Sequence, residues 1–201
     1  MIAIIDYDAG NTRSVEKAIT YLGGDCRITA DKSVILQAER VILPGVGAFG
    51  SAMERLDSTG LSDTIRAVVK KGTPFLGICL GLQLIFEESE ESPGVEGLKL
   101  LKGKIRRLPD TEGLRIPNIG WNSLDIIRRG RLFEGLASSD FVYFVHSYYL
   151  EAEDRGCVTA QIDYGVKADV AIESGNIFAT QFHPEKSSET GLKILENFLR
   201  V

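Results

Sequence analysis

The first half of the chain alternates short apolar runs with helical apolar stripes, and that alternation restricts the fold more than any other feature. Residues 2–6 read IAIID, a short apolar run closed by an acid, which is the pattern of a buried strand. Val15, Ala18, Ile19 and Leu22 follow at helical spacing, and Gly23-Gly24 ends that helix. Residues 25–29 (DCRIT), 40–47 (RVILPGVG) and 73–78 (TPFLGI) read as three more strands. The link between the second and third strands is expected to carry a helix without clear bounds. Helical pattern runs from Phe49 to Lys71 with a break at Gly60, and a last helix is expected over 80–89. Alternation of this kind, with strands that are apolar throughout, implies a parallel sheet with helices on both faces and right-handed crossovers. Such sheets bind ligands beyond the carboxyl ends of their strands. Asp6, the Pro44–Gly47 turn and Cys79 all fall at such ends.

The second half changes character. GLKLLKGKIRRLP, WNSLDII, FVYFVHSYYL, GCVTAQIDYG, DVAIESGN and IFATQFH are short, β-rich and separated by turns. They are expected to add antiparallel strands or a meander. A closing helix is expected over 187–200, with Ser188 as its N-cap and Leu192, Leu195, Phe198 and Leu199 on its apolar face. No repeat, low-complexity tract or linker divides the chain. The fold expected is therefore a single α/β domain over 1–201: a mixed, mostly parallel sheet flanked by helices, with an antiparallel, β-rich second half.

Composition removes several classes of function. A net charge of −5 lacks the basic excess of a nucleic-acid binder. No apolar run approaches the ~18 residues of a membrane span. The opening MIAIIDYDAGN has neither the basic start nor the apolar core of a targeting segment, so a cytoplasmic protein is expected. Cys26, Cys79 and Cys157 are odd in number and show no C-x-x-C spacing, which argues against a disulfide framework or a zinc site. No metal or cofactor is expected. Cys26 and Cys157 lie in strand-like contexts and are read as structural.

Cys79 is different. It sits in Gly77-Ile78-Cys79-Leu80-Gly81, where a strand meets a helix. A nucleophile on such a turn needs glycine two residues to either side, because side chains there would crowd a strained centre. The turn also sets the sulfur at a helix N-terminus and aims the Leu80 N–H where an oxyanion would form. On this stretch alone, a nucleophile and a packed thiol stand even. The chain has two histidines, His146 and His183. His183 ends a strand pattern, and Glu185 two residues on would leave an extended segment on the same side. That supplies a base and its orienter, although a packing histidine and a solvated glutamate fit equally well singly. The third part is LPGVGAFG (43–50), whose glycines permit close approach of backbone N–H groups to a substrate; a plain turn is the alternative.

Taken in order, LPGVGAFG, PFLGICLGLQLIFEESEE, IGWN, YFVHSYY and FHPEKS are similar to the class I, triad-type glutamine amidotransferases. More narrowly they resemble the glutaminase subunits of imidazole glycerol phosphate synthases. The resemblance runs from IIDYDAGN to the last helix. It implies the flavodoxin-like amidotransferase fold and a glutaminase that feeds ammonia to a separate (β/α)₈ cyclase subunit, as a heterodimer in histidine biosynthesis. It implies Cys79 as nucleophile, His183 as base, Glu185 as orienter, and Val46 and Leu80 as the oxyanion hole, Val46 after a rearrangement. Gly47, Gln83, Ser147 and Tyr148 match positions that hold glutamine. Asn11, Trp121 and Lys186 match the side that faces the partner. Two positions depart from the family's usual pattern: Asp8 stands where glycine is frequent, and Asn118-Ile119 replace a frequent His-Met.

His146 reads as a packing residue or a neighbour of the glutamine loop rather than a second base. Trp121 fits a core aromatic as well as a partner contact. The basic stretches from Lys102 to Arg115 and at 128–131 read as solvated β faces. Two other functions are open to such a chain: a binding module whose chemistry has decayed, and a small cysteine hydrolase acting on γ-glutamyl peptides.

Overall fold

The computed structural model describes residues 1–8 and 10–201. The first half contains β1 (Ile2–Ile5), α1 (Thr12–Tyr21), β2 (Cys26–Thr29), α2 (Lys32–Gln37), β3 (Arg40–Gly45), α3 (Phe49–Ser58), α4 (Leu61–Lys70), β4 (Phe75–Cys79), α5 (Leu80–Leu84) and β5 (Glu88–Ser89). The second contains β6 (Gly103–Arg107), β7 (Asn118–Ser123), β8 (Asp125–Ile126), β9 (Phe141–His146), β10 (Tyr148–Ala152), β11 (Val158–Asp163), β12 (Lys167–Ser174), β13 (Ile177–Thr180) and α6 (Ser188–Leu199). The main sheet runs β2-β1-β3-β4-β13-β12-β10-β6-β5, with β11 and β8 pairing at the side of β12. Strands β2, β1, β3, β4 and β13 are mutually parallel. Strand β12 then reverses direction, and β7 and β9 form a separate antiparallel pair.

Both faces of the parallel half are covered, which is why its strands are apolar throughout. Ala3, Ile5, Val41, Leu43 and Phe75 pack on one side with Ile35 of α2, Phe49, Met53 and Leu56 of α3, and Ile65 and Val68 of α4. Ile2, Ile4, Ile42, Leu76 and Ile78 pack on the other with Val15 and Ile19 of α1 and Ile194, Leu195 and Phe198 of α6. The alternation follows from the two-residue period of a strand. The unbounded helix between β2 and β3 is α2, started by Asp31, whose carboxylate accepts from the N–H groups of Ser33 and Val34.

Three expectations need correction. The helix expected over 80–89 stops at Leu84, because the carbonyls of Leu84, Ile85, Phe86 and Glu87 accept from residues 97–101 instead of continuing the helix, and Glu88–Ser89 becomes a strand beside β6. FVYFVHSYYL is not one strand: it breaks at Ser147, and β9 and β10 belong to different sheets. IFATQFH does add an antiparallel strand, β13 pairing with β12 as β12 pairs with β11, while its other edge lies parallel to β4, with Thr180 opposite Ile78. The N-cap of α6 is Ser187, not Ser188, and Leu192 and Leu199 are only half-buried while Ile194 is fully buried.

Among the described residues no helix is long and apolar enough to cross a membrane, and no three His, Cys, Asp or Glu side chains gather as a metal site would require. The basic stretches are largely paired within the chain: Arg106 with Glu90 and Glu151, Arg107 with Asp110, Arg131 with Glu173.

Candidate active site

Three adjacent parallel strands end at one place. β3 runs into the Pro44–Gly47 turn, β4 ends at Cys79, and β13 leads through Gln181 and Phe182 to His183. Gly45 lies opposite Cys79 in the β3–β4 register. The site therefore lies beyond the carboxyl ends of the strands, where the topology of such a sheet leaves room.

Cys79 carries φ of +57° and ψ of −110°, a backbone conformation that a side chain adopts only under constraint. A Cβ on Gly77 would lie 2.6 Å from the Gly81 carbonyl oxygen, and one on Gly81 would collide with the Leu43 carbonyl oxygen. The two glycines close the turn against each other and against β3, and thereby hold Cys79 in its strained pose. The thiol is 7% exposed and opens onto a cavity of about 320 Å³.

His183 is buried, and its own N–H donates to the Tyr143 carbonyl. Its Nδ1 donates to Glu185 Oε1 at 2.7 Å. The geometry that achieves this is a turn, not the extended segment expected: Pro184–Lys186 form a single 3₁₀ turn that brings Glu185 back under the imidazole. Ser187 clamps that turn, its hydroxyl donating to the His183 carbonyl at 2.6 Å and accepting from the Tyr143 N–H. The Glu185 carboxylate is wholly shielded from solvent, and the same Oε1 accepts from Asn11 Nδ2 at 2.6 Å. His183 Nε2 faces the cysteine and has no hydrogen-bond partner among the described residues. Burial disfavours the imidazolium, but the hydrogen bonds and charges of Cys79 and Glu185 outweigh it and raise His183 to about 9.

Every residue expected to hold substrate lines the cavity: Gly47, Gln83, Ser147 and Tyr148. Val46 and Leu80 line it too. Gly47 carries φ of +94°, which only glycine adopts freely. Of the residues expected on the partner side, Trp121 is 50% exposed against the edge of Tyr143, and Lys186 is exposed. Asn11 is half-buried and turns its amide inward onto Glu185.

His146 also lines the cavity, but its ring is occupied. Nδ1 bonds the Tyr148 carbonyl, which can only accept, so Nδ1 carries the proton and Nε2 accepts from Asn118 Nδ2. Burial, opposed only weakly by the Tyr148 bond, pushes His146 down to about 4, so the ring stays neutral at ordinary pH. The departure at 118 thus supplies a donor to this histidine. The departure at Asp8 falls on φ of +60°, where glycine costs least and aspartate is one of the few residues tolerated.

Three residues around the cavity carry no signal in the sequence. Gln181 hides in a strand-like run, Tyr7 looks like core, and Glu91 looks like one more charge in EESEE. Gln181 Nε2 lies 3.8 Å from Cys79 Sγ. The Tyr7 hydroxyl is buried against Gly45 without a partner among the described residues, and its ionisation is pushed up by burial and by the charge of Cys79. Glu91 lines the cavity with its carboxylate held by the Phe49 N–H at the start of α3.

The fold is shared with solved structures of low sequence identity. A glutamine amidotransferase superposes with a TM-score of 0.78 at 21% identity, covering 100% of this chain and 98% of the other. PurLQS from Thermotoga maritima superposes with a TM-score of 0.75 at 21% identity, covering 99% and 97%. Curated relatives are much nearer in sequence. The imidazole glycerol phosphate synthase subunit HisH of Methanothermobacter thermautotrophicus is 51% identical over 100% of this chain and 98% of its own. That of Caldanaerobacter subterraneus subsp. tengcongensis is 50% identical over 98% and 97%. That of Methanocaldococcus jannaschii is 47% identical over the full length of both. The family model for glutamine amidotransferase class-I matches residues 3–201. With half of its residues shared across the whole length, the chain belongs to the class-I glutamine amidotransferases, in the branch of the HisH subunits.

Proposed function

We propose that the chain is the glutaminase subunit of an imidazole glycerol phosphate synthase: one amidotransferase domain over 1–201, working in the cytoplasm as a heterodimer with a (β/α)₈ cyclase subunit. One observation carries the chemistry. A strained cysteine and a buried His–Glu pair face each other across a cavity that is closed on its other sides by glycine backbone and by Gln83, Ser147 and Tyr148.

The steps follow from that placement. His183 takes the Cys79 proton, and the sulfur attacks the side-chain carboxamide carbon of glutamine. The Leu80 N–H, and the Val46 N–H once the turn rearranges, receive the oxyanion. His183 passes its proton to the leaving nitrogen, and ammonia departs from a γ-glutamyl thioester. Water, deprotonated by His183, then attacks the thioester; the thiolate leaves, takes back the proton, and glutamate is released. Glu91 is the carboxylate placed to receive the α-ammonium of the substrate. No step uses a metal or a cofactor.

Asn11 serves the base as well as the partner side. Its amide fixes Glu185 Oε1 beneath His183. Asn11→Ala should lower kcat by about 10- to 100-fold with little change in KM, since a hydrogen bond to a carboxylate is worth about 1.5–3 kcal/mol and touches no substrate atom. A KM effect with unchanged kcat would assign Asn11 elsewhere.

A partner fits the surface beside the site. In the β7–β9 pair, Ile119 stands opposite Val145, Trp121 opposite Tyr143 and Ser123 opposite Phe141, so these side chains share one face. Ile119, Trp121 and Phe141 are between 50% and 61% exposed, an apolar strip that water does not favour. Val46, at the mouth of the cavity, is 41% exposed. Docking there would restrain the Pro44–Gly47 turn. The test is glutamate release from glutamine with and without the cyclase subunit and its nucleotide ligand. An increase of about 10²-fold is expected, the worth of one oxyanion donor. Equal turnover by the isolated chain would reject the gating, and no Cys79-dependent glutamate in the complex would reject the function.

A further inference from the structure

We infer that Gln181 is a further catalytic residue, whose side-chain N–H donates to the Cys79 sulfur and favours its anionic form. The inference deepens the glutaminase reading above and rests on it for its consequence in turnover.

The orientation of the Gln181 amide is settled by its neighbours. Gln83 Nε2 donates to the Tyr148 carbonyl at 3.3 Å, a group that can only accept. The same nitrogen donates to Gln181 Oε1 at 3.1 Å. The oxygen of Gln181 therefore faces Gln83, and its nitrogen must face the sulfur, 3.8 Å away. Gln181 is fully buried, and its backbone N–H is held by the Val170 carbonyl at 2.8 Å, so neither end is free to turn away. Reversing the amide would set two NH₂ groups against each other and leave an oxygen against a thiolate.

The result is one hydrogen-bonded chain from Tyr148 through Gln83 and Gln181 to the nucleophile. It has two consequences. An N–H donor strengthens its bond as the acceptor becomes charged, so it favours the thiolate over the thiol. And because Gln83 also lines the cavity, a ligand that engages Gln83 pulls on the residue that holds the sulfur. The charged and titratable groups around Cys79 are His183, with Glu185 behind it, on one side; Tyr7 on another; and Glu91, His146 and Tyr148 across the cavity. Of these, only His183 also favours a negative sulfur. Gln181 adds a donor whose effect does not titrate.

The test is the rate of Cys79 alkylation by iodoacetamide against pH in wild type and in Gln181→Leu, with Cys79→Ala as the blank. The variant should react about tenfold more slowly near pH 7, a difference of about 1.4 kcal/mol, and the gap should close as the pH is raised. Identical profiles in a folded variant would overturn the inference. If Gln181→Leu fails to fold, the wild-type protein answers the question: the Gln181 side-chain ¹⁵N–¹H signals should shift with the same pH midpoint as alkylation and stop doing so in Cys79→Ala. Signals that ignore the thiol's titration would overturn it equally. Neither measurement needs glutamine. Absence of glutamine hydrolysis by the complex would therefore reject the glutaminase reading while leaving the sulfur contact to be judged by itself.

Discussion

Replacing Cys79 by alanine is expected to abolish glutamine-dependent turnover of the complex while ammonia-dependent turnover continues. The sulfur is the nucleophile that the elbow presents to the cavity, and His183 Nε2 has no hydrogen-bond partner among the described residues to divert it. Losing a nucleophile that works as a unit with its base costs on the order of 10⁶-fold in rate. The substitution removes one atom from a side chain that is already small, and alanine fits the same backbone, so the fold should survive. Free ammonia added from outside bypasses the sulfur. Glutamate release and product formation, each measured with glutamine and with an ammonium salt, separate the two. A variant as active with glutamine as wild type would revive the decayed binding module. A wild-type enzyme that prefers γ-glutamyl peptides to glutamine would favour the small hydrolase instead.

The largest effect on stability is expected at Gly81. An added methyl group there meets the Leu43 carbonyl oxygen, which belongs to the backbone of a central strand and cannot step aside. Either β3 or the elbow must shift. Overpacking that meets backbone falls at the upper end of the usual range, about 3 kcal/mol, so Gly81→Ala should lower Tm by roughly 6–12 °C for a domain of this size. Calorimetry reads this directly. Whatever folded protein remains should have lost about 10²-fold in kcat, because the sulfur is displaced from its line with His183. An unchanged Tm would mean that the clearance at Gly81 is not what holds the turn. Gly77→Ala should act in the same direction, its Cβ pressing on the Gly81 carbonyl and on Ile85.

The elements that periodicity could reach came out close to their observed bounds. The break at Gly60 between α3 and α4 is one case, where glycine takes φ of +70°. The apolar stripe of α1 is another. Errors gathered where local pattern has no authority. Leu84–Glu87 read as helix because their side chains are spaced like one, but their carbonyls find donors in residues 97–101. FVYFVHSYYL is continuous in hydropathy, so nothing in it announces that two sheets divide it at Ser147. Glu185 reached the position expected of it, but by a proline-led turn rather than by strand alternation.

By itself the sequence determined the parallel, helix-covered first half and the elbow: apolar runs, helical spacing and glycines two residues either side of Cys79 act over short distances, and short distances are what a sequence displays. Only the tertiary structure decided that β13 lies beside β4, which sets His183 next to Cys79 across more than half of the chain. It alone decided that the Asn11 amide turns onto Glu185, and that Gln181 faces the sulfur with its nitrogen rather than its oxygen. Strand order is chosen by burial summed over both faces of the sheet. The direction of a buried amide is chosen by which neighbours can donate and which can only accept. Those neighbours are remote in the chain, and no local pattern names them.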